Sequence, residues 1–307
     1  MGNMKVLVTG GAGYKGTKLA SRLADEGCDV TIFDNFMYGY EPVLHLVQNN
    51  NIKMVKGDIR SGIDGLSQYD AVFHLAGISG YPACEANQSS AEQINVLATR
   101  KLVDTLSKNQ ILINASTTSF YGKSGSRCTE DTHVDPVSMY GITKHLAEKI
   151  VQDRENSISL RFATVFGPSP RMRMDLMVND FTYKAKKERV LILFDGYAVR
   201  TFIHIDDAVE CYLFTLRNYD KMKGNVFNAG GERLNYSKKD IADNIARYIN
   251  YQIIDSELKD KDVRHFIIDY SRIKKLGYEP KKTLDDGIAE LLKLFSFYEY
   301  FTHYKTI

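Results

Sequence analysis

Residues Lys5–Gly16 read KVLVTGGAGYKG, and the chain continues into GTKLASRLADEG. An apolar run without polar alternation belongs to a strand buried on both faces, which predicts a place inside a parallel sheet. Gly10, Gly13 and Gly16 stand where a sharp turn and a close backbone approach need residues without a side chain. The helix that follows offers its free N–H groups to an anion, so the turn, with Tyr14 and Lys15 inside it, is read as a pyrophosphate cradle. Lys15 sits where an apolar residue would tuck under the sheet. It is expected to face solvent, with the pyrophosphate as the alternative.

Glycines alone are weak evidence, and the next strand strengthens them. DVTIFD ends on Asp34, about twenty residues on, where a carboxylate meets a ribose diol. Asn35, Phe36, Met37 and Tyr38 follow with no Arg or Lys to neutralise a 2′-phosphate, so NAD is expected in preference to NADP.

Outward from this unit, DAVFHLAG, ILINAS and SISLRFATVFG continue the strand rhythm, with helical AEQINVLATRKLVDTLSK and YGITKHLAEKIVQD between them. Strands alternating with helices predict an α/β fold, a Rossmann-type doubly wound parallel sheet. After Gly167 the rhythm changes, so residues 1–167 are read as the NAD-binding domain and 168–307 as a smaller C-terminal α/β substrate domain. Segment 203–230 is expected to return to the first sheet. No internal repeat or low-complexity segment occurs, and the aromatic tail FSFYEYFTHYKTI is read as a helix end packed on the body or on a second subunit.

Forty basic and 38 acidic residues, spread along 307 positions, give a net charge of +2 and no stripe that would suit nucleic acid or an anionic membrane. Cys28, Cys84, Cys128 and Cys211 form no CxxC pair, which disfavours zinc and a disulfide framework; no metal is expected. No stretch approaches the ~20 apolar residues of a membrane helix, and a cytoplasmic location is expected.

The chemistry is carried by MYGITK and ASTTS. Tyr140 and Lys144 are four residues apart and share a helix face, so an ammonium can act on a phenol. The hydroxyls Ser116, Thr117 and Thr118 lie at the carboxyl end of a strand, where ligands of open α/β sheets bind.

In TGGAGYKG, GDIR, HLAG, ASTTSFYG, YGITK, LRFATVFGP and RTFIHIDD, taken in order, the chain resembles the extended short-chain dehydrogenase/reductase superfamily, in its NAD-dependent epimerase/dehydratase branch acting on nucleotide sugars. The resemblance spans nearly the whole chain. It implies Thr117, Tyr140 and Lys144 as catalytic residues, Asp58 and Ile59 at the adenine, Leu75, Ala76 and Gly77 along the cofactor, and Asn95 and Phe162 near the nicotinamide. For the nucleotide-sugar substrate it implies Arg200 at the diphosphate, Arg264 as a second clamp and Asn179 at the nucleotide. It also implies a homodimer built on the helices AEQINVLATRKLVDTLSK and YGITKHLAEKIVQD. Ser116 is expected to bond backbone or groups behind the site, and Tyr121 to pack the turn.

Ala163 and Thr164 stand where relatives carry an asparagine, and Thr201 follows Arg200 in place of an acid. Dehydratases of this kind place Asp and Glu after the catalytic Thr, because eliminating water needs an extra acid and base. Here Thr118 and Ser119 occupy those places. The expectation is therefore a nucleotide-sugar 4-epimerase working through a transient 4-keto sugar, with a net C4 dehydrogenase (of a GDP-heptose, for example) as the alternative. A dehydratase or a non-catalytic NAD-binding sensor ranks below both.

Overall fold

The computed structural model describes residues 2–122, 127–258 and 264–300. Seven strands form one parallel sheet: β1 (Lys5–Thr9), β2 (Asp29–Asp34), β3 (Ile52–Lys56), β4 (Ala71–His74), β5 (Ile111–Thr117), β7 (Ser157–Phe162) and β11 (Asn225–Ala229). Their order is β11-β7-β5-β4-β1-β2-β3. The remaining strands make three short sheets: β6 (Arg127–Cys128) with β14 (Ile267–Ile268), β8 (Thr164–Phe166) with β10 (Val199–His204) and β12 (Asn235–Ser237), and β9 (Val190–Phe194) with β13 (Gln252–Ser256).

The apolar runs explain the layers. Val6, Leu7, Val8, Val72, Phe73, Leu112, Ile113, Ile158 and Leu160 have no exposed surface, as strands covered on both faces must. The covering helices include α1 (Gly16–Asp25), α4 (Ala98–Thr105), α5 (Met139–Gln152) and α7 (Ile205–Arg217), with α2 (Tyr81–Ala86) and α3 (Gln88–Glu92) packed on α5, while α6 (Met177–Lys187) packs on the short strands β8 and β9. Strand β11 and helix α7 lie beyond Gly167 in sequence, yet β11 pairs with β7 and α7 packs on α1. A second apolar cluster, with Phe166, Met172, Phe202, Ile241, Leu284 and Phe295, forms beside the main core. Phe295 begins the aromatic tail and stacks edge-on against Tyr183 of α6, while residues 301–307 of that tail lie outside the described residues.

The strand order reverses between β1 and β4, the switch point outside which open α/β sheets bind ligands. Thr9 Oγ1 meets His74 Nδ1 at 2.8 Å and His74 Nε2 meets Thr99 Oγ1 at 2.9 Å, tying both strand ends to α4. Burial pushes the His74 imidazole down to about 3, so this ring is a neutral strut.

The glycine turn closes tightly on the switch point. A Cβ on Gly10 would lie 2.7 Å from the Ala76 nitrogen, and one on Gly16 would lie 2.6 Å from Gly11 Cα. Both neighbours are backbone and cannot swing away. Gly16→Ala is therefore expected to weaken NAD binding at least tenfold and to lower the melting temperature by several degrees, read by titration and by thermal unfolding.

Candidate active site

A cavity of about 500 Å³ opens at the carboxyl ends of β1, β2, β4, β5 and β7. Its walls bring together most of the residues singled out from sequence: Gly10, Gly13, Tyr14, Lys15, Gly16, Asp34, Asn35, Ile59, Leu75, Ala76 and Gly77 on one side, and Thr117, Tyr140, Lys144, Phe162, Arg200 and Arg264 on the other. The first group fits a dinucleotide: the glycine turn leaves no room for a Cβ and opens α1. Asp34, at the end of β2, accepts N–H bonds from Ala12 (3.0 Å) and Phe36 (2.9 Å). Burial pushes the Asp34 carboxyl up, against the pull of those two N–H groups. Phe36 holds a φ of 57°, a conformation rare outside glycine, which turns the chain sharply beside the carboxylate.

The three strand-end hydroxyls are unequal. Ser116 also borders the cavity, but its Oγ donates to Glu148 Oε2 of α5 at 2.6 Å, and Thr118 Oγ1 donates to the Phe162 carbonyl at 3.2 Å. Thr117, paired in register with Phe162, accepts the Ser119 N–H at 3.1 Å and lines the cavity. Tyr121 is buried, and its hydroxyl donates to Asn228 Oδ1 at 2.8 Å, a packing role as expected for the turn.

Helix α5 starts at Ser138, whose hydroxyl accepts the Gly141 N–H at 3.2 Å. That cap sets Tyr140 in the first turn and Lys144 one turn later, both on the cavity wall. Burial pushes the Lys144 ammonium down to about 8, opposed by the Glu148 carboxylate. A lysine so placed sheds its proton more readily than a solvated one and still supplies positive charge beside the phenol near neutrality.

Lys15 departs from expectation. It does not face solvent: it is half-buried, its Nζ donating to the Tyr212 hydroxyl at 3.2 Å and lying 4.2 Å over the Phe162 ring. The long stem carries the charge under the turn to the end of β7, which sequence spacing does not reveal.

Three other residues stand behind the wall. Asp58 accepts the Arg60 N–H at 2.9 Å and caps the turn Ile59–Ser61, so Ile59, and not the carboxylate, reaches the cavity. Asn95 sits in a π turn, Gln93–Leu97, that re-aims its side chain onto Ile78: the oxygen accepts the Ile78 N–H at 2.8 Å and the amide donates to the Ile78 carbonyl at 3.0 Å. Asn179 is fully buried, accepting the Gly167 N–H at 3.0 Å and donating to the Arg173 carbonyl at 2.9 Å. These two asparagines brace the loops that form the wall.

Arg171, Arg173 and Asp175 also line the cavity and were not singled out from sequence. Arg173 is held in a fork by Asp175 (Nε–Oδ1 3.1 Å) and donates to Ser79 Oγ at 3.1 Å. Burial pulls the Asp175 carboxyl up, but the guanidinium holds it below its ordinary value. Arg171 stacks 3.9 Å from the Tyr38 ring, close enough to Asp34 to favour its charge. The density of Arg in PSPRMRMD was the available signal. Arg264 donates to Ser119 Oγ, which stands where dehydratases carry an acid.

One His and carboxylate group, His204, Asp206 and Glu290, lies elsewhere. Lys18 is paired with Asp206 and Lys282 with Glu290. Among the described residues no helix is long and apolar enough to cross a membrane.

Comparison with known proteins gives the family. A model of the NAD dependent epimerase/dehydratase family matches residues 6–230. CDP-paratose 2-epimerase of Salmonella typhi is 28% identical, over 94% of this chain and 98% of its own. UDP-glucuronic acid decarboxylase 2 of Arabidopsis thaliana is also 28% identical, over 95% of this chain and 68% of its own. UDP-glucuronic acid 4-epimerase of Bacillus cereus, solved with UDP-glucuronic acid and NAD, superposes with a TM-score of 0.82 at 25% identity, covering 95% of this chain and 99% of its own. The chain belongs to the NAD dependent epimerase/dehydratase family and is an NAD-dependent enzyme with a Rossmann-like fold.

Proposed function

We propose that this enzyme is a nucleotide-sugar 4-epimerase, which oxidises the C4 hydroxyl of a nucleoside-diphosphate sugar and reduces the resulting ketone from its other face. The observation that carries the reading is the meeting of Thr117, Tyr140 and Lys144 on one wall beside the glycine turn, with hydroxyls at Thr118 and Ser119 in place of the acid pair of a dehydratase. The family resemblance and the relatives that act on nucleotide sugars support it.

In the oxidation Tyr140, as phenolate, takes the proton of the C4 hydroxyl while the C4 hydrogen departs with its electron pair. NAD supplies the hydride acceptor. A phenol of ordinary pKa, roughly 10, is a weak base near neutrality, so the reading needs cationic Lys144 to stabilise the phenolate. Thr117 hydrogen-bonds the same sugar oxygen and fixes it toward Tyr140. The reverse transfers return both hydrogens, leaving no net redox change.

Arg200, on β10 and 4% exposed, is proposed to hold the diphosphate with Arg264. This contact is the same in ground and transition states, so Arg200→Met is expected to raise KM about tenfold to a hundredfold with kcat within a few fold, measured by steady-state kinetics. A collapse of kcat at unchanged KM would contradict that role. Exposed Leu97, Ile142 and Leu146, beside or on the packed helices α4 and α5, support a homodimer across that face.

The deciding experiment incubates the enzyme with UDP, GDP, CDP and dTDP sugars and follows product identity together with NADH absorbance. A C4-inverted sugar without net NADH supports the epimerase. NADH formed in proportion to keto sugar would replace it with a net C4 dehydrogenase.

A further inference from the structure

Lys15 is a charge that neither the binding turn nor the proton transfer requires. Its contacts among the described residues are the Tyr212 hydroxyl at 3.2 Å and the faces of Phe162 and Tyr212, at 4.2 and 5.5 Å, with no carboxylate facing it. The charged and titratable groups around it are Lys144 from α5, Arg173 from the segment after β8, and Cys211 and Tyr212 from α7. Burial first, then Lys144 and Arg173, push the Lys15 ammonium down to about 7. Arg173 is offset by Asp175 and Lys144 is already assigned to the phenol, which leaves Lys15 as an extra positive charge below about pH 7.

Its position is set by strand register. Phe162 is the partner of Thr117 across β5 and β7, so the ammonium over the Phe162 ring borders the strand end that carries Thr117. On the proposed reading of Thr117 and Tyr140 as the reaction centre, on which this inference rests, the sugar carbon lies beside those two side chains. A nicotinamide bound in the cavity would have to lie against that carbon to exchange hydride with it. The oxidised nicotinamide ring carries a positive charge and the reduced ring none, so a cation at this place distinguishes them electrostatically.

We propose that the Lys15 ammonium discriminates between the two oxidation states of the cofactor, favouring the neutral reduced ring over the cationic oxidised one. The consequence for an epimerase is that hydride stays on the cofactor while the keto sugar turns over in the pocket.

The test is a binding ratio. Dissociation constants for NADH, by its fluorescence, and for NAD, by competition, are measured near pH 6, about one unit below the point where Lys15 gives up its proton, on the wild type and on Lys15→Met, Lys15→Gln and Lys15→Arg. Removing the charge is expected to shift the ratio about tenfold toward NAD, equivalent to about 1.4 kcal/mol, in whichever of the Met and Gln variants folds, while Lys15→Arg keeps the wild-type ratio. A ratio unchanged within about twofold in the uncharged variants overturns the role of Lys15, even where turnover still depends on Tyr140. Normal turnover in Tyr140→Phe would strike the reaction-centre reading itself, and the two failures are read by different measurements.

Discussion

Tyr140→Phe is expected to lower turnover of the nucleotide sugar about a thousandfold, within the span that a positioned proton carrier contributes, while NAD binding stays within a few fold. Phenylalanine keeps the ring and its packing at the start of α5 and removes only the oxygen that takes the sugar proton. The helix cap at Ser138 does not involve the phenol, so the fold around the site is not expected to move. Initial rates on an identified sugar, together with the NAD dissociation constant and the near-ultraviolet circular dichroism, check the three parts separately. Turnover equal to the wild type would refute the proposed proton transfer.

The residues behind this prediction differ in how far sequence exposes them. The glycine turn, Asp34 and the spacing of Tyr140 and Lys144 are local: turn sterics fix the first, the end of a strand the second and one helical turn the third. The seven-stranded sheet follows from the same kind of signal, because apolar runs without alternation leave few places except between two helix layers. The remainder depends on what the chain brings together over long separations. Arg173, Asp175 and Ser79 meet across a loop and a helix start 94 residues apart, and nothing in either segment specifies the other. The π turn at Gln93–Leu97 hides inside a sequence that reads as ordinary helix, so Asn95 points at the Ile78 backbone when simple periodicity would leave its direction open. Lys15 ends under the turn because its stem is long enough to cross to Phe162, which is a matter of tertiary distance. Arg171 qualifies the argument for NAD in a similar way: the residues after Asp34 contain no cation, but the fold brings one from far along the chain.

Behind Ser116 lies the charge network with the largest expected effect on stability. Arg161, 5% exposed, donates to Glu148, 1% exposed, from Nη2 at 2.7 Å and from Nε at 3.1 Å. Its Nη1 reaches the Tyr121 hydroxyl at 2.7 Å and the Glu130 carbonyl at 3.0 Å. Burial alone would pull the Arg161 guanidinium down, but the Glu148 carboxylate more than offsets it and raises it above its ordinary value. The two partners are not equivalent when one is removed. Glu148→Ala strands a guanidinium that cannot give up its proton, and is expected to cost about 3–5 kcal/mol in urea unfolding near neutral pH. Arg161→Met strands a carboxyl group instead, a type that, unlike a guanidinium, also exists in a neutral form. The loss in Arg161→Met is therefore expected to be smaller. Replacing both by Leu and Met removes the stranded charge on either side and should recover a large part of the Glu148→Ala loss. Since Ser116 donates to Glu148 and Thr117 is the next residue, Glu148→Ala should also loosen the strand end at the cavity, lowering turnover in the fraction that remains folded. A cost under about 1 kcal/mol for Glu148→Ala would show that the buried pair is not coupled to the fold, and would leave the alignment of Thr117 to the β5–β7 pairing alone.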